Sequence, residues 1–225
     1  MRLYKFVSAK HGLDNVRCRR IKIGEFPKLN DPFELNPFVY SDAHNKEVME
    51  RLRKRIGDTS GIVSYSKTPF NPVMWAHYAE NHQGLCLGID AIDAVPGTPA
   101  KLAHPDTHAH VKEITYVDEP YPFPTHVDDV NEELIHKFIW TKFRHWQYED
   151  EYRVMTTITD RLKNGLCFTD FGPQTALKEV IIGYRSKVTA RKIRQAIDPK
   201  YGDEVDIWKV VPSTTAFKME RDTSF

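Results

Sequence analysis

Two glutamates and an arginine stand at every second position in the stretch Trp146-Gln147-Tyr148-Glu149-Asp150-Glu151-Tyr152-Arg153-Val154-Met155. Read as a strand, this stretch sends alternate side chains to opposite faces. Tyr148, Tyr152 and Val154 then face a core, with Asp150 out of pattern. Glu149, Glu151 and Arg153 line the other face. Such a row is either a solvated charge ladder or the floor of a cleft, where paired carboxylates are placed for acid–base work.

Other residues able to take part lie on earlier strands. Lys5 sits in an N-terminal strand, with Tyr4 on its opposite face. Ser64-Tyr65-Ser66 ends a middle strand just before an aromatic helix, Met74-Trp75-Ala76-His77-Tyr78-Ala79. By three- and four-residue spacing Met74, His77 and Tyr78 share one side of that helix. Trp75 reads as core, and His77 and Tyr78 as the better cleft candidates. His104, His108, His110 and Glu113 are in principle metal-ligand types, though loop histidines are common and a plain loop explains them as well. No Gly-x-Ser-x-Gly elbow, P-loop or His-Glu-x-x-His pattern occurs. Cys86 lies in an apolar strand, where an inert thiol is expected.

These residues must be positioned by short strands interleaved with few, unequal helices. Strands are expected at 3–8, 19–24, 62–66, 85–90, 111–117, 146–155, 166–169, 177–183 and 205–211. Helices are expected at 8–18 with Ser8 as N-cap, at 42–55, from Asn71-Pro72 to a stop at Gly84, at 128–139 and at 189–197. Residues 27–37, with three prolines, read as a long irregular loop. Regular βαβ alternation and a Gly-rich strand-to-helix turn are missing. The expectation is therefore α+β, with largely antiparallel split sheets and a few helices. No linker divides the chain, so residues 1–225 are expected to form a single domain.

Composition narrows the class. The 225 residues are 40% hydrophobic and 12% aromatic, enough for a core, and the formal net charge of +1 gives no global field to recruit nucleic acid or membrane. Three scattered cysteines suggest neither a zinc site nor a disulfide scaffold, and fit a reducing cytoplasm. The N-terminus is too charged for a signal peptide, and no apolar run reaches membrane-spanning length.

Four motifs carry a resemblance: Asn30-Asp31-Pro32-Phe33-Glu34, Met74-Trp75-Ala76-His77-Tyr78-Ala79, Trp146-x-Tyr148-Glu149-x-Glu151-Tyr152-Arg153 and Leu177-Lys178-Glu179-Val180-Ile181-Ile182-Gly183. Together they resemble an uncharacterised bacterial domain family, some members of which sit near phage-defence genes. A more distant resemblance is to the ADP-ribosyltransferases, which place a basic residue on the first strand, Ser-x-Ser on a middle strand and Glu-x-Glu on a later one. Lys5, Ser64-x-Ser66 and Glu149-x-Glu151 follow that order. Lys5 departs from the usual arginine or histidine, and a lysine cannot form a bidentate fork. The resemblance implies an ADP-ribosyltransferase-like fold and a cytoplasmic enzyme that takes NAD and an unknown protein or nucleic-acid acceptor. Glu151 and Glu149 would be catalytic. Lys5, Tyr4, Ser64, Ser66, His77 and Tyr78 would contact the dinucleotide, with Ser64 orienting Glu151 and Tyr78 or Trp75 stacking on nicotinamide. Two alternatives stay open: a non-catalytic nucleotide- or protein-binding sensor, and a metal-dependent nuclease-type effector.

Overall fold

A computed structural model describes residues 1–91, 110–124, 131–172 and 175–225. In chain order the elements are β1 (Arg2–Val7), α1 (Ala9–Cys18), β2 (Arg20–Lys22), β3 (Phe38–Val39), α2 (Ala43–Thr59), β4 (Ser60–Ser66), α3 (Pro72–Tyr78) and β5 (Leu85–Ala91). There follow β6 (His110–Glu113), β7 (Thr115–Val117), β8 (Tyr121–Pro122), α4 (Glu132–Trp140), β9 (Thr141–Phe143), β10 (Glu151–Thr157) and β11 (Phe168–Asp170). The chain closes with β12 (Thr175–Ile182), α5 (Ala190–Ala196), β13 (Asp206–Pro212) and β14 (Met219–Arg221). This is a mixed α+β fold. Pairing is mostly antiparallel, and parallel pairs include β12 with β13, β3 with β8 and β7 with β9. The expected class therefore holds.

The chain gathers into two compact units. The first takes the described residues of Met1–Lys22, Tyr65–Pro96 and Thr169–Phe225, the second those of Ile23–Ser64 and Gly97–Phe168.

In the first unit the strands run β14-β13-β12-β5-β1, with residues 65–66 of β4 beside β1. β5 is central and almost wholly buried, as its apolar run predicts. α1 begins where Ser8 accepts a hydrogen bond from the His11 amide, and ends at Arg19 in the left-handed conformation. Gly12 lets α1 close on β5, since a Cβ there would lie 2.8 Å from Leu85 Cδ1. α3 starts as expected, with Asn71 capping and Pro72 in the first turn. Trp75 is fully buried, meets Phe6 edge-on at 5.2 Å and donates Nε1–H to the Pro69 carbonyl. The helix stops at Tyr78 and not at Gly84. Glu80, Asn81 and His82 each have positive φ, so the chain turns left-handed before Gly84 leads into β5.

The second unit has its own core: Phe26, Leu35, Phe38, Met49, Ile62, Ile114, Phe123, Leu134, Phe138, Ile139 and Trp140. α2 contributes Met49, Leu52 and Ile56 from one face, and its N-terminus is capped by Asp42. α4 is capped by Asn131 and contributes Leu134, Phe138 and Ile139. The expected strand 111–117 breaks at Ile114 into β6 and β7, because the Ile114 amide turns to the Glu151 carbonyl. β10 lies between β6 and residues 60–64 of β4.

Candidate functional site: a buried charge cluster

The stretch 146–155 is not one strand. Residues Arg144–Glu149 form a 3-10 turn, Asp150 takes the left-handed conformation at φ 45°, and only then does β10 begin. Aspartate tolerates that conformation better than most residues, and its short side chain marks the switch. Val154 is buried as expected, but the rest of the face assignment is reversed. Glu149, Glu151 and Arg153 are buried, whereas Tyr148 and Tyr152 are half-exposed. The charged row is neither a wet ladder nor an open cleft floor. It points into the unit and is met there by charges from elsewhere in the sequence.

Lys142 is the first of these. α4 runs directly into β9, and the β7–β9 register sets Lys142 opposite Tyr116. Its ammonium lies 2.5 Å from Glu149 Oε2, 3.1 Å from Glu151 Oε2 and 3.6 Å from Glu34 Oε1, and 5.0 Å from the centre of the Trp146 ring. Arg153, with no exposed surface, grips Glu151 with Nε at 2.9 Å and Nη2 at 3.3 Å. It also donates to the Ile139 carbonyl at 2.6 Å and to Glu34. Glu34 arrives from the proline-rich loop, and Tyr116 accepts a hydrogen bond from the Glu151 amide at 2.9 Å. Ser64, on β4, hydrogen-bonds the Glu151 carboxylate.

Burying charges this deeply is costly unless each is paired and hydrogen-bonded. Among the described residues, no buried side-chain oxygen or nitrogen of this cluster lacks a partner. Burial opposes the charged form of Glu151, but Arg153 and Lys142 outweigh it and hold the carboxyl at about 2. Glu34 goes the other way: its burial, with Glu151 and Glu149 adding repulsion, raises it above the usual range despite both cations. Burial works against the Lys142 ammonium too, yet the three glutamates raise its pKa, so it stays protonated. Three carboxylates thus face two cations. Chemically, the arrangement presents two glutamates converging on one cationic position.

Of the residues singled out by sequence, Glu149, Glu151 and Ser64 are brought together in this unit. Tyr4, Lys5, Ser66, His77 and Tyr78 lie in the first unit. There Tyr4 is opposite Ser66 and Gly88, and burial, with Glu179 adding to it, pushes the Tyr4 phenol up to about 12. Ser66 donates to the Thr68 carbonyl, and the His77 and Tyr78 rings are 6.2 Å apart. Sequence reasoning missed Lys142, Glu34 as a buried acid, and Tyr116. The local signal for Lys142 was its setting, a lone lysine between Trp140-Thr141 and Phe143 at the end of an apolar helix. His104 and His108 fall outside the described residues. Among the described residues, no three His, Cys, Asp or Glu side chains are grouped to hold a metal ion, and no helix is long and apolar enough to cross a membrane.

No curated protein and no solved structure matches this chain. Residues 74–154 match the family model described as Protein of unknown function (DUF2971). That stretch runs from the first residue of the 74–79 motif to the residue after Arg153, and it includes Lys142, Glu149 and Glu151 while leaving Glu34 outside. The matched part of the chain, which supplies most of the charge cluster, is thus similar to an uncharacterised domain family.

Proposed function

We propose that the chain is an ADP-ribosyltransferase-like enzyme that breaks the nicotinamide–ribose bond of NAD and passes ADP-ribose to a protein or nucleic-acid acceptor. The observation that supports this is the convergence of Glu149 and Glu151 on a single cation, the Lys142 ammonium, with Ser64 bonded to Glu151. As the C1′–nitrogen bond breaks, its electron pair leaves with neutral nicotinamide and positive charge builds on the ribose. A fixed carboxylate beside that charge stabilises the transition state more than the ground state. In this reading Lys142 occupies the place of the developing cation and withdraws when the dinucleotide enters. Glu151 then faces the ribose, Ser64 holds it in orientation, and Glu149 takes the acceptor's proton as the acceptor bonds to C1′. Such an activity suits a bacterial toxin or phage-defence effector.

A second reading has its own support. Glu151 is 1% exposed and gripped by both cations, which fits a nucleotide- or protein-binding sensor that never turns over. One experiment separates the two. The purified chain is incubated with NAD and cell lysate, and nicotinamide release is followed by chromatography beside a thermal-shift assay with NAD alone. The transferase reading expects release that falls at least about a hundredfold in Glu151→Gln and falls in Ser64→Ala, with both variants still folded. Stabilisation by NAD without release selects the sensor. Neither effect removes the dinucleotide from the account.

A further inference from the structure

We infer that the first unit carries a binding surface for the phosphate backbone of nucleic acid, formed by α5, the turn that leads into it, and α1. This inference does not rest on the proposed activity.

Across the whole chain positive and negative side chains nearly cancel, 32 against 31. Residues 184–197 break that balance. They contain Arg185, Lys187, Arg191, Lys192 and Arg194 and no acid. All five cations are exposed, while Ile193 and Ile197 face inward. α5 therefore spends its apolar side on the protein and its basic side on solvent. α1 packs beside it and adds Lys10 and Arg17, also exposed. Arg17 pairs with Asp14 at 3.2 Å, a surface pair of little energetic weight.

Charge complementarity selects a polyanion, and the rest of the surface says which kind. None of the large exposed hydrophobic side chains among the described residues, Phe33, Phe70 and Phe217 among them, lies on α1, α5 or the turn. An amphipathic membrane helix needs such anchors, and protein interfaces concentrate aromatic hot spots at their centres. A face of spaced lysines and arginines without apolar anchors matches contact with phosphates, which carries no sequence information.

The test is fluorescence anisotropy with a labelled mixed-sequence duplex of about two helical turns. With Arg194 set aside because it donates to the Val205 carbonyl, and Arg17 because it pairs with Asp14, the five contacts of Lys10, Arg185, Lys187, Arg191 and Lys192 predict a log–log salt slope of about −4.5, a loss of roughly 500-fold in affinity between about 50 and 200 mM salt. Replacing Lys187, Arg191 and Lys192 together by alanine should flatten the slope by about 2.7. A matched set of exposed α2 cations, Lys46→Ala, Lys54→Ala and Arg55→Ala, should leave it unchanged. No binding at the low salt, an unaltered slope in the first triple variant, or binding to phosphatidylserine vesicles in place of the duplex would overturn the inference.

Discussion

Arg153→Met asks how much the buried charge cluster contributes to the fold. Methionine keeps most of the volume and removes five donors. Four contacts go with them: two to Glu151, one to the Ile139 carbonyl and one to Glu34. The orphaned carbonyl alone costs about 1–3 kcal/mol. Glu34 and Glu151 are then left sharing Lys142, and breaking a buried ion pair from one side typically costs about 3–5 kcal/mol. At roughly 2–4 °C per kcal/mol for a chain of this size, the melting temperature should fall by about 6–20 °C in a thermal scan. The double variant Glu34→Gln/Arg153→Met removes a carboxylate along with the guanidinium. It should lose less than the two single variants combined, by about 0.5–3 kcal/mol. A melting temperature within about 2 °C of the parent, or strict additivity in the double variant, would refute the idea that these charges hold one another in place.

The same cluster predicts opposite pH effects from two glutamates. Glu151 is depressed from 4.5 to about 2, so its stabilisation is complete above the unfolded value and drains away as pH falls towards 2; Glu151→Gln should flatten that acid limb in melts taken across it. Glu34 is raised, so the unfolded chain gives up its proton first as pH climbs past 4.5, and the folded state loses ground until Glu34 itself ionises. Glu34→Gln should therefore gain on the parent in melting temperature as pH rises through that window, and a gap that stays constant would show Glu34 ionising at its ordinary value. In the first unit, a Cβ at Gly84 would sit 2.1 Å from the Val7 carbonyl oxygen and 2.9 Å from the Ala79 backbone. Backbone cannot move aside as a side chain can, so Gly84→Ala should cost about 3 kcal/mol or more by chemical denaturation.

What was legible in the sequence was local. The Asn71-Pro72 start of α3, the Ser8 cap of α1 and the unbroken apolar run of β5 each follow from a few neighbouring residues, and each stands where expected. The charged row was not legible, because period two looks the same whether the row meets water or meets partners. Its partners come from far along the chain: Glu34 lies 119 positions before Arg153, and Lys142 reaches the site through a short parallel pair that no local pattern announces. Asp150 adds a second obstacle. A 3-10 turn and a single left-handed residue replace the first half of the expected strand, yet Glu149 and Glu151 meet the same ammonium.

That meeting bears on why the cluster exists. A ladder serving stability alone is best met by balanced pairs, and a well-packed apolar core often does as well or better. Here Glu34, Glu149 and Glu151 exceed Lys142 and Arg153 by one carboxyl group, and burial together with the other two glutamates holds Glu34 above the usual carboxylate range. Arg153 and Glu34 form the rigid side of the arrangement, with the guanidinium fully enclosed and tied to backbone. Lys142 is the other side: a long unbranched stem whose head hydrogen-bonds two carboxylates, lies 3.6 Å from a third and sits over an aromatic face, with no backbone carbonyl among its hydrogen-bond acceptors in the described residues. If one cation is to give way to an incoming positive centre, the chemistry of the two side chains selects Lys142. Lys142→Met should then leave Glu149 and Glu151 without their shared cation, and added NAD should stabilise this variant by a different amount from the parent. An equal thermal shift in both would separate the lysine from any ligand and leave the cluster as a purely internal support.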